Sequence, residues 1–301
     1  MTFTEIKKHS AFPVILLLAL SLIWGSSFIL IKKGLNSFTP AQVGTIRIFF
    51  AFLVLLPFAF KYLKSIFKNS WKKILFLGII ANLIPAVLFA AAETGLSSSM
   101  TGVLNALTPM MTLIIGAAAF KTSIQKKQAL GLIIAFAGSI TLSFVNTNGQ
   151  LESFNSYSLY VIAATICYGI GLNMVRVNFL GVKSIALSSL TMFSIGPISL
   201  VYLLCTDFVF RLTNLEGSWI SLGYIFLLGA VGTGFALILF NRLIQTTSAV
   251  MASSVTYLIP IIAVAWGVID GEQIFILHIA AMVLIILGVY IVNKSKNLPR
   301  I

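Results

Sequence analysis

The chain has 301 residues, 59% of them hydrophobic and only 9% charged, with a mean hydropathy of +1.05 and a net charge of +13. A soluble domain of this length needs far more charge on its surface, so the composition excludes one. Apolar runs of about 20 residues, each long enough to cross about 30 Å of hydrocarbon, recur along the chain. Ten are counted: roughly 12–31, 41–60, 74–93, 98–119, 128–145, 157–175, 184–205, 218–240, 246–268 and 274–293. They predict an all-α integral membrane protein. The gaps near 61–73, 146–156 and 206–217 are connectors.

The basic residues are not spread as a nucleic-acid surface would be. If the N-terminus is cytoplasmic, the connectors on that side hold sixteen of the twenty basic residues, among them Lys61, Lys64, Lys68, Lys72 and Lys73 in one connector. The opposite side holds Lys32, Lys33 and Arg211, and Arg47 falls within a span. This is the positive-inside asymmetry, and it predicts that both termini are cytoplasmic. The first run follows a short basic segment but is too long for a signal-peptide core, so it is expected to be retained. Cys167 and Cys205 fall in different spans and make neither a disulfide framework nor a metal site.

Span one carries Ser21, Trp24-Gly25-Ser26-Ser27-Phe28 and Lys32. Span six carries Thr165, Tyr168-Gly169, Leu172 and Arg176 at the same spacing. Glycine admits a neighbouring backbone, and the aromatic supplies a rigid surface. Trp24 and Tyr168 therefore line a cavity or pack helices, while Lys32 and Arg176 read as interfacial cations. Pro40 opens span two. Arg47 follows about two turns in, roughly 9–10 Å from the outer end. An intramembrane arginine costs at least about 2.5 kcal/mol, so it meets a partner, a ligand or water, unless it snorkels to the headgroups. Its counterpart in span seven is near Thr191, so the charge is not duplicated.

Span three places Asn82, Phe89 and Glu93 on one helix face, with Glu93 near the outer end as a gating or coupling candidate and a hypothetical partner for Arg47. In span four, Thr101, Asn105, Thr108 and Thr112 share a face, interrupted by Pro109. The face is a polar seam between helices or the wall of a solute cavity, because the proline frees a carbonyl that something must satisfy. Small-residue stripes in span five (Gly131, Ala135, Gly138) and span ten (Ala281, Gly288) read as scaffold or as a dimer face. Span eight carries Gly229, Gly232 and Gly234, suited to close approach or local unwinding, and span nine carries Ser253, Thr256 and Tyr257 before Pro260.

The chain repeats. A shift of about 151 positions carries Met100 onto Met251, Leu107 onto Leu258, Pro109 onto Pro260 and Gly116 onto Gly267. In the preceding span it carries Gly78 onto Gly229 and Phe89 onto Phe240. Repeats of this kind mark transporter folds with the site between the halves. The halves are expected at 12–145 and 157–293.

The block Trp24-Gly25-Ser26-Ser27-Phe28, Arg47, the small-residue run into Pro109 and its repeat at Pro260, and Gly271-Glu272 leading to Gly288 resemble the EamA-type transporters of the drug/metabolite transporter superfamily. The resemblance covers about 12–293 and implies ten transmembrane helices in two inverted five-helix repeats. It further implies a bacterial inner-membrane location and export of small organic solutes, often amino acids or related metabolites. One departure is visible: Lys121 stands where the family commonly has an acidic residue after span four.

The leading reading is a secondary transporter working by alternating access. Its substrate-binding candidates are Trp24, Ser27, Arg47, Asn82, Phe89, Asn105, Thr108, Tyr168, Ser253 and Tyr257, with Pro109 and Pro260 as helix kinks. Arg47 is the candidate to meet a carboxylate. A second reading, efflux of hydrophobic cations, prefers a buried carboxylate to a buried arginine. A third, an intramembrane enzyme, has little to work with. The chain has two histidines, no His-Glu-x-x-His motif and no Gly-x-x-x-x-Gly-Lys loop, so neither a cofactor nor a metal is expected. The expected partners are a small-molecule substrate and the lipid bilayer, not nucleic acid, with the protein a monomer or homodimer.

Overall fold

The structure, a computed structural model, describes residues 11–120, 125–145, 149–150, 154–246 and 255–294. Seven helices are long and apolar enough to cross a membrane: α1 (Ile15–Leu35), α2 (Pro40–Tyr62), α3 (Lys68–Ala92), α4 (Ser98–Ala119), α6 (Ser158–Asn178), α7 (Ser184–Leu204) and α9 (Ser218–Leu243). Helix α5 (Lys126–Ser143) and the short α8 (Phe208–Asn214) lie between them. Two further apolar stretches fall within α10 (Val255–Ile269) and α11 (Ile276–Lys294).

The helix ends follow the local sequence. Thr39 Oγ1 accepts from the Gln42 N–H at 3.3 Å, and Gln42 Oε1 accepts from the Thr39 N–H at 3.0 Å, with Pro40 at the first helical position. This capping box starts α2 where the sequence places it. Helix α4 starts on Ser97, whose hydroxyl accepts from the Met100 N–H at 3.2 Å.

Four of the long helices are not α-helical throughout, and α1 is interrupted by a turn at Ser26. Helix α3 has a π-helical turn at Ile79–Leu83, and α9 has one at Ala230–Phe235. Helix α4 tightens to a 3-10 turn at Asn105–Leu107, just before Thr108 and Pro109. The two π turns begin 151 positions apart, the register of the sequence repeat.

Side-chain packing follows the repeat, with a register of 144 positions in the first two spans of each half and 151 in the later ones. Trp24 on α1 packs edge-on against Phe240 on α9, with ring centres 4.8 Å apart. Tyr168 on α6 stacks on Phe89 on α3 at 5.8 Å. Trp24 and Tyr168 are counterparts, as are Phe240 and Phe89, so each half's aromatic lies on the other half's phenylalanine. Gly25 and Gly169 exchange in the same way. A Cβ on Gly25 would collide with Ile262 on α10; one on Gly169 would lie 3.0 Å from the Met111 carbonyl carbon on α4. Met111 and Ile262 are again 151 positions apart. Finally, Gly229 admits the Arg47 backbone on α2, and Gly78 admits the Thr191 backbone on α7. The sequence match of Arg47 to Thr191 is thus a match in space.

Helix α5 packs along α11. A Cβ on Gly138 would lie 2.8 Å from the Ala281 carbonyl oxygen, and one on Gly288 would collide with the Ala135 backbone. The small-residue stripes expected as scaffold or a dimer face are therefore covered by each other. Small residues let the two backbones meet, and the close contact leaves these positions no surface to offer a second copy.

Gly229→Ala is expected to destabilise the protein by about 1–3 kcal/mol, because its Cβ would lie 2.5 Å from the Arg47 carbonyl oxygen. Gly223→Ala on the same helix meets nothing within 4 Å and is expected to be neutral or mildly stabilising. Thermal unfolding in detergent compares the two.

Candidate functional site

A cavity of about 270 Å³ lies between the two sets of irregular helices. Part of its polar wall comes from the places where the helices depart from α geometry. Asn82 lies in the π turn of α3, Gly232 and Thr233 in that of α9, and Asn105, Thr108 and Thr112 in and after the 3-10 turn of α4. Its apolar wall includes Trp24, Phe28, Phe89, Tyr168 and Phe240. Arg47 and Arg176 also line it, and no aspartate or glutamate does so among the described residues.

The π turn of α9 hands polar groups to its neighbours. Trp24 Nε1 donates to the Gly232 carbonyl at 3.0 Å. Arg47 Nε donates to Thr233 Oγ1 at 2.6 Å, and that hydroxyl donates to the Leu228 carbonyl at 3.2 Å. Arg47 is only 9% exposed, yet Nη1 and Nη2 make no hydrogen bond or ion pair among the described residues. The guanidinium is thus fixed along one edge, with the fork of the other edge unclaimed. Thr108 Oγ1 donates to the Asn105 carbonyl at 2.8 Å, which takes up a carbonyl near Pro109. Asn173 Nδ2 donates to the Thr112 carbonyl at 2.8 Å, and Asn241 Nδ2 to Ser188 Oγ at 2.9 Å.

The cavity reaches along the bundle to Gln128, Asn173, Arg176, Leu187 and Asn241. The other end is closed by ions. Lys32 Nζ lies 2.8 Å from Asp270 Oδ2 and 3.2 Å from Glu272 Oε1, and Lys33 Nζ lies 2.5 Å from Asp270 Oδ1. Glu272 in turn accepts from the Ser98 N–H at 2.9 Å and the Ser99 N–H at 3.1 Å. Its carboxylate caps the positive end of α4 and ties it to α1. The Lys32 and Lys33 ammoniums hold the Asp270 carboxyl below the ordinary carboxylate range. Burial pushes Glu272 up, but hydrogen bonds from Ser99 and Ser98 and the Lys32 charge outweigh it, so Glu272 also lies low.

The pattern of the EamA-like transporter family matches residues 11–144 and again residues 155–294. The chain belongs to the EamA-like transporter family. It is a membrane transporter of the drug/metabolite transporter superfamily. This EamA protein is 26% identical to the uncharacterized inner membrane transporter YedA of Escherichia coli K12, over 94% of this chain and 90% of that one. It is 25% identical to the uncharacterized transporter YyaM of Bacillus subtilis, over 95% of both chains. It is 24% identical to a probable amino-acid metabolite efflux pump of Salmonella typhimurium, over 92% of this chain and 93% of that one. A solved crystal structure shares the fold at 13% identity with a TM-score of 0.64, over 93% of this chain and 95% of the other.

Of the EamA protein's ten substrate-binding candidates, eight lie on this one cavity wall: Trp24, Ser27, Arg47, Asn82, Phe89, Asn105, Thr108 and Tyr168. Ser253 lies outside the described residues, as does the side chain of Tyr257 on α10. Pro109 is on the wall; Pro260 is buried within α10 and is not. Glu93 is buried off the wall. The hypothetical Arg47–Glu93 pair is absent from the ion pairs of the described residues. Glu93 accepts from Ser98 Oγ at 3.3 Å instead, and Arg47 bonds Thr233. The reason is height: Arg47 is two turns inside α2, roughly 10 Å along the axis from the end at which Glu93 lies. Lys32, read as an interfacial cation, is an ion-pair partner, and Arg176 is a wall residue. Thr233, Asn173, Asn241 and Phe240 went unselected as binding candidates. The glycine cluster around Thr233, and Phe240 as the repeat mate of Phe89, were the signals for two of them.

Both Asp270 and Glu272 have depressed carboxyls, so they stabilise the closed end above their unfolded-state values, and that contribution fades as pH falls through their lower folded values. Asp270→Asn is therefore expected to lower the melting temperature at pH 7. The difference from the parent protein should shrink steadily on acidification toward pH 3, which a thermal-unfolding series in detergent reads directly.

Proposed function

We propose that this protein exports small carboxylate-bearing metabolites, amino acids or related compounds, across the bacterial inner membrane by alternating access. The observation that carries the reading is Arg47. A buried guanidinium is fixed by Thr233 along Nε and leaves its outer fork to an aromatic-walled, acid-free cavity. Such a fork matches the two oxygens of a carboxylate, and desolvation strengthens the pairing. Trp24, Phe89, Tyr168 and Phe240 would hold the apolar body of the substrate, while Asn82 and the Thr108 region offer polar contacts. The name of the Salmonella relative, an amino-acid metabolite efflux pump, agrees with this class. Among the described residues the wall has no acidic residue to attract a lipophilic cation, which argues against the cation-efflux reading.

In this reading the chain has ten spans in two inverted five-helix repeats, 12–145 and 157–293, with both termini cytoplasmic. The twofold exchange of Trp24–Phe240 with Tyr168–Phe89 supports two such halves. The positive-inside count puts the Arg176 end in the cytoplasm and the Lys32–Glu272 end outside. The cavity, extended toward the first and sealed by ions at the second, corresponds to an inward-facing state. Transport then requires the ion cluster to part while the Arg176 end closes.

A thermal-shift screen in detergent against carboxylates, nucleosides, sugars and lipophilic cations tests the reading, because a ligand that binds the folded state raises its melting temperature. Stabilisation by carboxylates is expected. Arg47→Gln is expected to weaken that binding by about 2 kcal/mol or more, roughly 30-fold, and Arg47→Lys to recover little of it. Stabilisation by lipophilic cations alone, unchanged in Arg47→Gln, would reject it.

A further inference from the structure

Glu93 follows the last residue of α3 at the sealed end and is 9% exposed. One carboxyl oxygen, Oε2, accepts from Ser98 Oγ at 3.3 Å. The other, Oε1, is buried without a hydrogen-bond partner among the described residues. The charges within its reach are Lys32 from α1, Arg47 from α2 and Glu272 from the loop after α10. Neither cation pairs with it: Lys32 is bound to Asp270 and Glu272, and Arg47 to Thr233. From α6, Tyr168 stacks one turn below on Phe89, and Tyr157, just before α6, packs on Gly95. Glu93 and Glu272 thus grip the same residue: Glu272 takes the Ser98 N–H, and Glu93 takes its hydroxyl.

An ionised carboxylate held this way loses its water and gains one neutral hydrogen bond, beside a second carboxylate whose own charge is already spoken for. A carboxylic acid in the same place carries no charge to desolvate. Parting the ion cluster would return water to Glu93 and reverse that preference. We propose that Glu93 is a proton-binding site that latches the outer mouth: the acid form holds the mouth closed, and opening releases one proton to the outer water. Closing takes the proton back from the same side, so none crosses the membrane. That follows from the position of Glu93, at the sealed end and off the cavity wall. The sign is fixed: raising external pH favours opening, and lowering it favours closure.

The inference rests on the alternating-access reading, and the test separates the two. Leu96 is buried beside this cluster. Leu96→Cys, in a background with Cys167→Ala and Cys205→Ser, would be labelled by a membrane-impermeant thiol reagent added outside. Rates are taken relative to the unfolded protein at the same pH. In the parent background labelling is expected to rise by up to about tenfold per pH unit, the dependence that one linked proton gives. In Glu93→Gln, which keeps the shape of the neutral acid, labelling should be slow and flat with pH. In Ser98→Ala, which keeps the carboxyl but removes its one donor, the rise should extend to higher pH. Labelling independent of pH in the parent, an unaltered rise in Glu93→Gln, or an unshifted rise in Ser98→Ala would each overturn the latch. So would a substrate-driven proton flux through proteoliposomes that Glu93→Gln abolishes, since the proton would then cross. If neither substrate nor pH ever exposes Leu96→Cys, the outer mouth does not open and the alternating-access reading itself falls.

Discussion

A backbone carbonyl released from its helix inside a bilayer has no water to turn to, so irregular turns survive there only where protein groups or a cavity take up the freed atoms. Much of the polar chemistry of this transporter follows from that constraint. The π turns of α3 and α9 and the 3-10 turn of α4 converge on one cavity. Groups of the α9 turn are claimed across the bundle: Trp24 takes the Gly232 carbonyl, and Arg47 takes the Thr233 hydroxyl. A helix that remained α throughout would present side chains alone and keep its carbonyls to itself.

The two halves share this scaffold but not its chemistry. Arg47 meets Thr233 on one side of the pseudo-twofold. The counterparts of that pair are Thr191 and Asn82, which carry no charge. The frame is therefore symmetric, as the proposed rocking between two mirrored states would require, while the site is polarised by a single guanidinium. An arginine in both halves would place two buried cations against one cavity with no carboxylate to balance them.

The sealed end depends on charge rather than on packing alone. Asp270 and Glu272 collect Lys32, Lys33 and the N-terminus of α4 into one cluster. Every member is electrostatic and so reversible at modest cost once water enters, which suits the opening proposed for this end. Glu93 stands beside the cluster without a countercharge of its own, and that isolation makes its proton matter.

Much was legible in one dimension because its cause is local. Helices across hydrocarbon need long apolar runs, the capping of α2 is written in Thr39-Pro40-Ala41-Gln42, and polar residues at helical spacing in α4 already share a face. The repeat register of 151 even anticipated that Phe89 and Phe240 are equivalent. What the chain could not state is who meets whom. Arg47 and Glu93 are the obvious pair by sign, yet their heights along the bundle send Arg47 to Thr233 and Glu93 to Ser98. Glu272 reads as a loop acid until α4 arrives beside it, 173 positions away in sequence. Thr233 looks like one more small residue until its helix unwinds by a turn. Spacing and composition follow from each segment's own geometry and solvent; the pairing of distant polar groups is decided only when the helices pack and fix which of them share a level.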